Sequence, residues 1–343
     1  MKTYPSICSF LLAALIAGCS GKPSAENLSI KGETLKIAFG SCNMQGLEQP
    51  LWPEIIKDAP DIWLWLGDTI YGDTEDMSVM RSKYDQNKNH PKYFAIRSTA
   101  KVHGTWDDHD YGVNDGGKEY PKKKESKEEF VRFFDYSDNH PIHDHEGVYH
   151  TTDYVLENGF RLRIIMLDTR YFRDELRRPE KEINGVRYVP SGKGTMLGEA
   201  QWVWLDSQLD GEDFDFCIIG SSIQLIAEEH GFEKWANLPH ERNRLLNLLD
   251  QKCPGKVIII SGDRHHSEIS KIKQDSGTFL YDVTSSGLNR PGGLIGELNM
   301  HRIGPFIGKI NYGLLDIDTQ NKTIHVRIKG VEGVLYNETE LSF

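Results

Sequence analysis

Three apolar runs of strand length end abruptly at polar residues able to do chemistry. Residues 35–39 run into Gly40-Ser41-Cys42-Asn43, residues 62–66 into Gly67-Asp68, and residues 257–260 into Ser261-Gly262-Asp263-Arg264-His265-His266. Such runs read as strands buried on both faces, and their polar stops read as loops. Helix-period segments lie between them, at residues 52–58 and at residues 199–209, where Trp202, Leu205 and Leu209 share one face. This rhythm of strand, loop and helix predicts a layered α/β domain. Residues 147–156 and 160–167 flank Glu157-Asn158-Gly159 and read as an antiparallel hairpin, while residues 279–283, 312–317 and 323–329 read as further strands. The expected result is a pair of mixed sheets with the loop-borne groups gathered along one edge, where open α/β sheets place their ligands.

The N-terminus belongs to a different regime. Lys2, the apolar residues 7–17 and Ile16-Ala17-Gly18-Cys19 form an export signal, because the apolar stretch is too short for a membrane span and ends in small residues. The motif resembles a bacterial lipobox. It predicts a signal peptide over residues 1–18, lipidation of Cys19, a polar tether over residues 19–32 and a single domain over residues 33–343. The protein is then expected in the bacterial cell envelope, membrane-attached through its lipid and monomeric. Cys42, Cys217 and Cys253 remain; Cys217 sits in an apolar run and reads as a core thiol, with a Cys217–Cys253 disulfide as the alternative. The formal net charge of −11 opposes binding to a polyanion, so no dedicated nucleic-acid binding is expected. The run Lys122-Lys123-Lys124 is followed at once by Glu125, Glu128 and Glu129 and reads as a solvated helix face.

In chain order the loops carry Cys42, Asp68, Tyr71, Asp107, Asp108, His109, Asn114, Asp263 and His265. Singly, each has an ordinary explanation: a strand-terminal Asp caps helices and turns, and a lone Tyr or His packs. Their concentration on every strand-terminal loop points to metal binding. Oxygen donors suit hard cations, while thiolate and imidazole suit transition metals, so the mixture suggests two unlike ions.

These residues fall in motifs similar to those of the PhoD-type alkaline phosphatases, within the calcineurin-like metallophosphoesterases. The likeness rests on Phe39-Gly40-Ser41-Cys42, on Leu66-Gly67-Asp68-Thr69-Ile70-Tyr71 and on the segment from Thr105-Trp106-Asp107-Asp108-His109 to Asn114-Asp115. It continues through Leu167-Asp168-Thr169-Arg170, Leu197-Gly198-Glu199-Ala200-Gln201-Trp202 and Ser261-Gly262-Asp263-Arg264-His265. The resemblance implies a four-layer α/β/β/α sandwich with two mixed β-sheets. It also implies a ferric site of Cys42, Asp68, Tyr71 and His265 and a calcium site of Asp68, Asp108, Asn114 and Asp263, bridged by Asp68. Whether Asp107 or Asp108 is the ligand stays open at this level. Gln224 lies where the superfamily places another ligand, and reads equally as a polar residue at a strand end. The chain leaves little room for the N-terminal β-sandwich domain that many PhoD-type proteins carry.

The expected activity is hydrolysis of phosphate monoesters or diesters by a metal-bound hydroxide at a two-metal site. His109 is the expected partner of the leaving oxygen. Arg170 and Arg264 are expected either to contact phosphate or to pair with a nearby carboxylate. The alternatives are a phosphodiesterase directed at phospholipids or nucleotides and a non-catalytic envelope lipoprotein that binds metal or phosphate.

Overall fold

Side-chain parity along the central strands sets the architecture. Phe216 and Ile218 join one buried cluster while Cys217 and Ile219 join another, and Ile258 with Ile260 separate from Val257 with Ile259 in the same way. Successive side chains of a strand point to opposite faces, so these strands are covered on both sides. In the computed structural model, residues 26–28, 34–210, 212–292 and 297–343 are described. The lipobox and most of the expected tether lie outside them.

Fourteen strands are found among the described residues: β1 (Glu26–Leu28), β2 (Thr34–Gly40), β3 (Ile62–Leu66), β4 (Lys101–Thr105), β5 (His150–Leu156), β6 (Arg161–Met166), β7 (Phe216–Ser221), β8 (Val257–Ser261), β9 (Ser267–Lys273), β10 (Phe279–Ser285), β11 (Arg302–Ile307), β12 (Tyr312–Asp318), β13 (Thr323–Lys329) and β14 (Leu335–Ser342). One sheet runs β1-β5-β6-β7-β8-β10-β9-β11 and the other β14-β13-β12-β2-β3-β4. Both are mixed. Strands β2, β3 and β4 are parallel, as are β6, β7, β8 and β10, whereas β12 to β14 pair antiparallel. The hairpin expected around Asn158-Gly159 is present as β5 and β6, with Gly159 at φ 84° in the turn.

The helices are α1 (Trp52–Asp58), α2 (Met77–Lys88), α3 (Pro91–Arg97), α4 (Asp108–Tyr111), α5 (Lys123–Phe134), α6 (Gly198–Gln208) and α7 (Pro239–Lys252). Leu35, Ile37 and Phe39 meet Ile164, Met166, Ile218 and Ile260 between the two sheets. On the outside, Trp202, Leu205, Leu245 and Leu249 of α6 and α7 cover one sheet. Trp52, Ile55, Met80 and Tyr93 of α1, α2 and α3 cover Trp63 and Trp65 of the other. The result is the four-layer α/β/β/α sandwich, each sheet burying one face on the other and one on helices. Cys217 and Cys253 are free thiols in the second of these cores. The disulfide entertained from sequence is therefore absent; two apolar-packed thiols need no bridge to be protected. The lysine run opens α5, where Lys122 pairs with Glu125 and Lys124 with Glu146.

Candidate metal centre

The parallel strands of both sheets end on one side, and their closing loops are pressed together. A side chain at Gly67 (φ 86°) would meet Asp107 Cβ at 2.3 Å, and one at Gly262 would meet the Leu66 carbonyl at 2.5 Å. Glycine at both positions lets the β3, β4 and β8 loops converge. Cys42, Asp68, Asp263 and His265 all take positive φ, at 57°, 48°, 65° and 56°. Non-glycine residues hold that conformation at a cost, and such strain clusters at functional sites.

On the β2 side, the Cys42 thiol and the Tyr71 hydroxyl both donate to Asp68 Oδ2, each at 3.3 Å. Tyr71 Oη is also 3.4 Å from His265 Nε2. His265 Nδ1 lies 2.5 Å from the Arg290 carbonyl, which only accepts, so the proton sits on Nδ1 and Nε2 faces the cluster with its lone pair. Donor atoms of Cys42, Asp68 and His265 lie within 4.8 Å of one another. Ser286, which sequence reasoning did not single out, places its Oγ 2.9 Å from Cys42 Sγ and accepts from the His265 amide at 2.7 Å. Burial pushes the Cys42 thiol up to about 11, against the lowering effect of Ser286, and burial likewise raises the Tyr71 phenol. A cation would have to displace both protons.

A second group, Asp68, Asp108 and His109, shares Asp68 with the first, and a third comprises Asp108, Asp115 and Glu233. They line a cavity of ≈ 290 Å³ together with Asn114, Asp263, His265, Arg187, Phe232 and Arg264. Burial, reinforced by Cys42 and Asp108, raises Asp68 well above the usual carboxylate range; burial with Asp107 does the same to Asp263. Burial also raises Glu233 to about 7 despite Arg170 and Arg173. Asp108 Oδ1 is buried without a hydrogen-bond partner. Carboxylates that disfavour one another's charge around an unsatisfied oxygen are the donor set that a hard cation stabilises. The residues therefore fit a metal centre.

His109 stands beside this cavity. Its Nδ1 is 2.7 Å from Asp73 Oδ1, its ring packs 4.2 Å from that of Tyr71, and its Nε2 is 4.0 Å from Asp108 Oδ1. Burial disfavours the charged imidazole, yet Asp68, Asp73 and Asp108 outweigh it and raise His109 to about 10.

Asp107 and Asp108 are separated by their neighbours. Asp107 is fully buried against Arg170 and accepts from its Nε at 2.7 Å, while Asp108 reaches the cavity. Arg170 is itself fully buried between Asp107 and Glu233, the latter at 2.6 Å. It is committed to Asp107 and to the cavity-lining Glu233, and does not itself line the cavity. Gln224 is also turned inward, donating to Glu268 at 2.7 Å and Thr284 at 2.8 Å from a fully buried position. Neither residue lines the cavity; each directs its donors to buried partners within the protein. Arg264 does line it, with its Nη2 2.6 Å from Glu297. Asp115 falls within the motif segment but carries no assigned role there, and Arg187, Phe232 and Glu233 escape the sequence reading because they come from irregular segments with no strand end to mark them.

Residues 37–293 match the sequence profile of the PhoD-like phosphatases. The chain belongs to this family. Alkaline phosphatase D of Bacillus subtilis (strain 168) is 24% identical over 294 residues, covering 74% of this chain and 48% of that protein. The PhoD-like chain thus spans about half the length of that curated relative. The solved structure of PhoD superposes with a TM-score of 0.71 at 17% identity, over 91% of this chain and 69% of that one. Purple acid phosphatase PPD1 from yellow lupin (Lupinus luteus) seeds gives 0.61 at 17% identity, over 91% and 54%. GAP50, described as the anchor in the inner membrane complex of Plasmodium, gives 0.59 at 13% identity, over 91% and 90%. At these identities the likeness shows a shared fold, and function has to be argued from the site.

Proposed function

We propose that this PhoD-like chain is a metal-dependent phosphoric ester hydrolase. The observation that carries the reading is Asp68, which belongs at once to the group with Cys42 and His265 and to the group with Asp108 and His109. Family membership supports it. Cys42, Asp68, Tyr71 and His265 would hold one ion, proposed as ferric iron, and Asp68, Asp108, Asn114 and Asp263 a second, proposed as calcium. The ions would supply positive charge to the phosphoryl oxygens and activate water for attack on phosphorus.

The protein's own part is positioning. Asp73 fixes the His109 ring so that Nε2 faces the cavity beside Asp108, where a proton is needed by the departing alkoxide. The lone pair of His265 is held ready by the Arg290 carbonyl. Arg170 pairs with the buried Asp107 and with Glu233 at the cavity wall, so the loop presenting Asp108 keeps its place. The lipobox motif supports export and anchoring through Cys19, which mass spectrometry of the mature N-terminus tests; an unmodified Cys19 within a differently processed chain refutes it.

The test of function is turnover of p-nitrophenyl phosphate and bis-p-nitrophenyl phosphate by the purified protein, before and after chelation and metal add-back. Hydrolysis of at least one ester, lost on chelation and restored by metal, is expected. No turnover of either ester by the fully metallated protein would leave a metal-binding envelope protein.

A further inference from the structure

We infer that Arg290 is a specificity-determining residue that binds a terminal phosphoryl oxygen and favours phosphomonoesters over phosphodiesters. The inference rests on the hydrolase reading above. Most arginines around the cavity are paired with carboxylates. Arg170 is committed to Asp107 and Glu233, Arg173 to Glu233 at 3.1 Å, Arg187 to Asp115 at 2.5 Å and Arg264 to Glu297 at 2.6 Å. Arg290 differs. Among the described residues its guanidinium has no carboxylate partner; it lies over the face of Tyr71, 4.4 Å from the ring centroid, and is partly exposed.

That position is one side chain away from the chemistry. The Tyr71 hydroxyl touches Asp68 and His265, both of which line the cavity. The backbone at Arg290 is also fixed. Its carbonyl accepts from His265 Nδ1, Pro291 follows and restricts its conformation, and the Gly292 amide donates to the His265 carbonyl at 2.6 Å. A long side chain on an anchored backbone, resting on an aromatic ring, presents a planar fork of donors beside the site without a competing anion.

The preference follows from oxygen bookkeeping on the substrate. A phosphomonoester dianion spreads its charge over three terminal oxygens, and a diester monoanion has two. Ions held by the ligand set proposed above would supply charge to two of these oxygens, and the third is an anionic acceptor only in the monoester. A guanidinium directed there forms a charge-assisted contact that the esterified oxygen of a diester cannot match.

Arg290→Gln and Arg290→Lys test this, because neither removes the carbonyl that holds His265. For the metallated protein, kcat/KM for p-nitrophenyl phosphate should fall about 10- to 100-fold in Arg290→Gln, the loss expected for one hydrogen bond to a charged group. Bis-p-nitrophenyl phosphate, with the same leaving group, should change less than about 3-fold, and Arg290→Lys should recover part of the loss. Calorimetric affinity for inorganic phosphate should weaken in parallel with the monoester, with metal content unchanged. A wild type that turns over neither ester sinks the hydrolase reading, while the phosphate affinity of Arg290→Gln still tests anion binding. An unchanged monoester-to-diester ratio, unchanged phosphate affinity, or metal loss in both variants overturns the inference.

Discussion

Replacing Arg170 with methionine separates the two roles that the sequence leaves open. The structure buries the guanidinium completely, against Asp107 at 0% exposure and Glu233 at 2%. Methionine keeps most of the stem but removes the charge, leaving two buried carboxylates that Arg170 now stabilises. Breaking a buried pair by deleting one partner typically costs about 3–5 kcal/mol. At about 1.5 °C per kcal/mol for a domain of this size, the melting temperature should fall by about 5–8 °C. Asp107 is already raised to about 6 by burial, with Arg170 the main opposing influence, so it should become largely protonated. Adding Asp107→Asn should recover part of the lost stability. The assay is thermal and urea unfolding of the metallated protein, alongside KM for a chromogenic ester. A melting temperature within about 2 °C of wild type, together with a raised KM, would refute the buried role and return Arg170 to the substrate.

Three further outcomes are expected. Tyr71→Phe removes a hydroxyl 3.3 Å from Asp68; if the nearby ion is ferric, the purified wild type should be coloured and the variant's absorption band shifted or lost. A colourless, fully active wild type would overturn the iron assignment. His109→Ala should slow alkyl esters by about 10² to 10⁴-fold while affecting nitrophenyl esters much less, with metal retained; equal slowing accompanied by metal loss would make His109 a ligand. Burial, with His103 and His140 nearby, holds His150 well below the usual histidine range, its Nε2 2.9 Å from the Tyr136 hydroxyl. Its stabilising contribution is present above about pH 6.5 and is lost as pH falls from there towards the folded value, because only the unfolded chain takes up the proton. The loss runs at about 1.4 kcal/mol per pH unit, and His150→Gln should remove about one proton from that slope between pH 6.5 and 5; an unchanged slope contradicts the assignment.

What was legible in the chain, and what was not, has a physical pattern. The uninterrupted apolar runs at residues 62–66 and 257–260 show buried parallel strands directly, because both faces are apolar; residues 35–39 do so with Lys36 as the one interruption, and α1 carries Pro53 in its first turn. Strand β9 did not stand out, since Ser267, Glu268 and Ser270 are buried polar residues in an otherwise central position. Strand β11 carries Gly304-Pro305 and a register shift, which erase its alternation. At the site, the motif loops were readable because chemistry forces unusual residues into strand ends. Polarity at a strand end does not tell which way the side chain faces: Arg170 and Gln224 turn inward to buried partners, whereas Asp108 and Asp263 reach the cavity. Glu233 comes to the cavity through tertiary packing of an irregular segment, and that has no local signature.

On the proposed reading, Asp68 is shared by two cation sites that serve ester hydrolysis. Metal content per chain, measured by mass spectrometry on wild type and Asp68→Ala purified in parallel, tests it most directly, with turnover of both nitrophenyl esters recorded on the same samples. About two ions per wild-type chain are expected, with both ions and both activities diminished together in the variant. A variant that keeps two ions, or that keeps full activity after losing one, would contradict it.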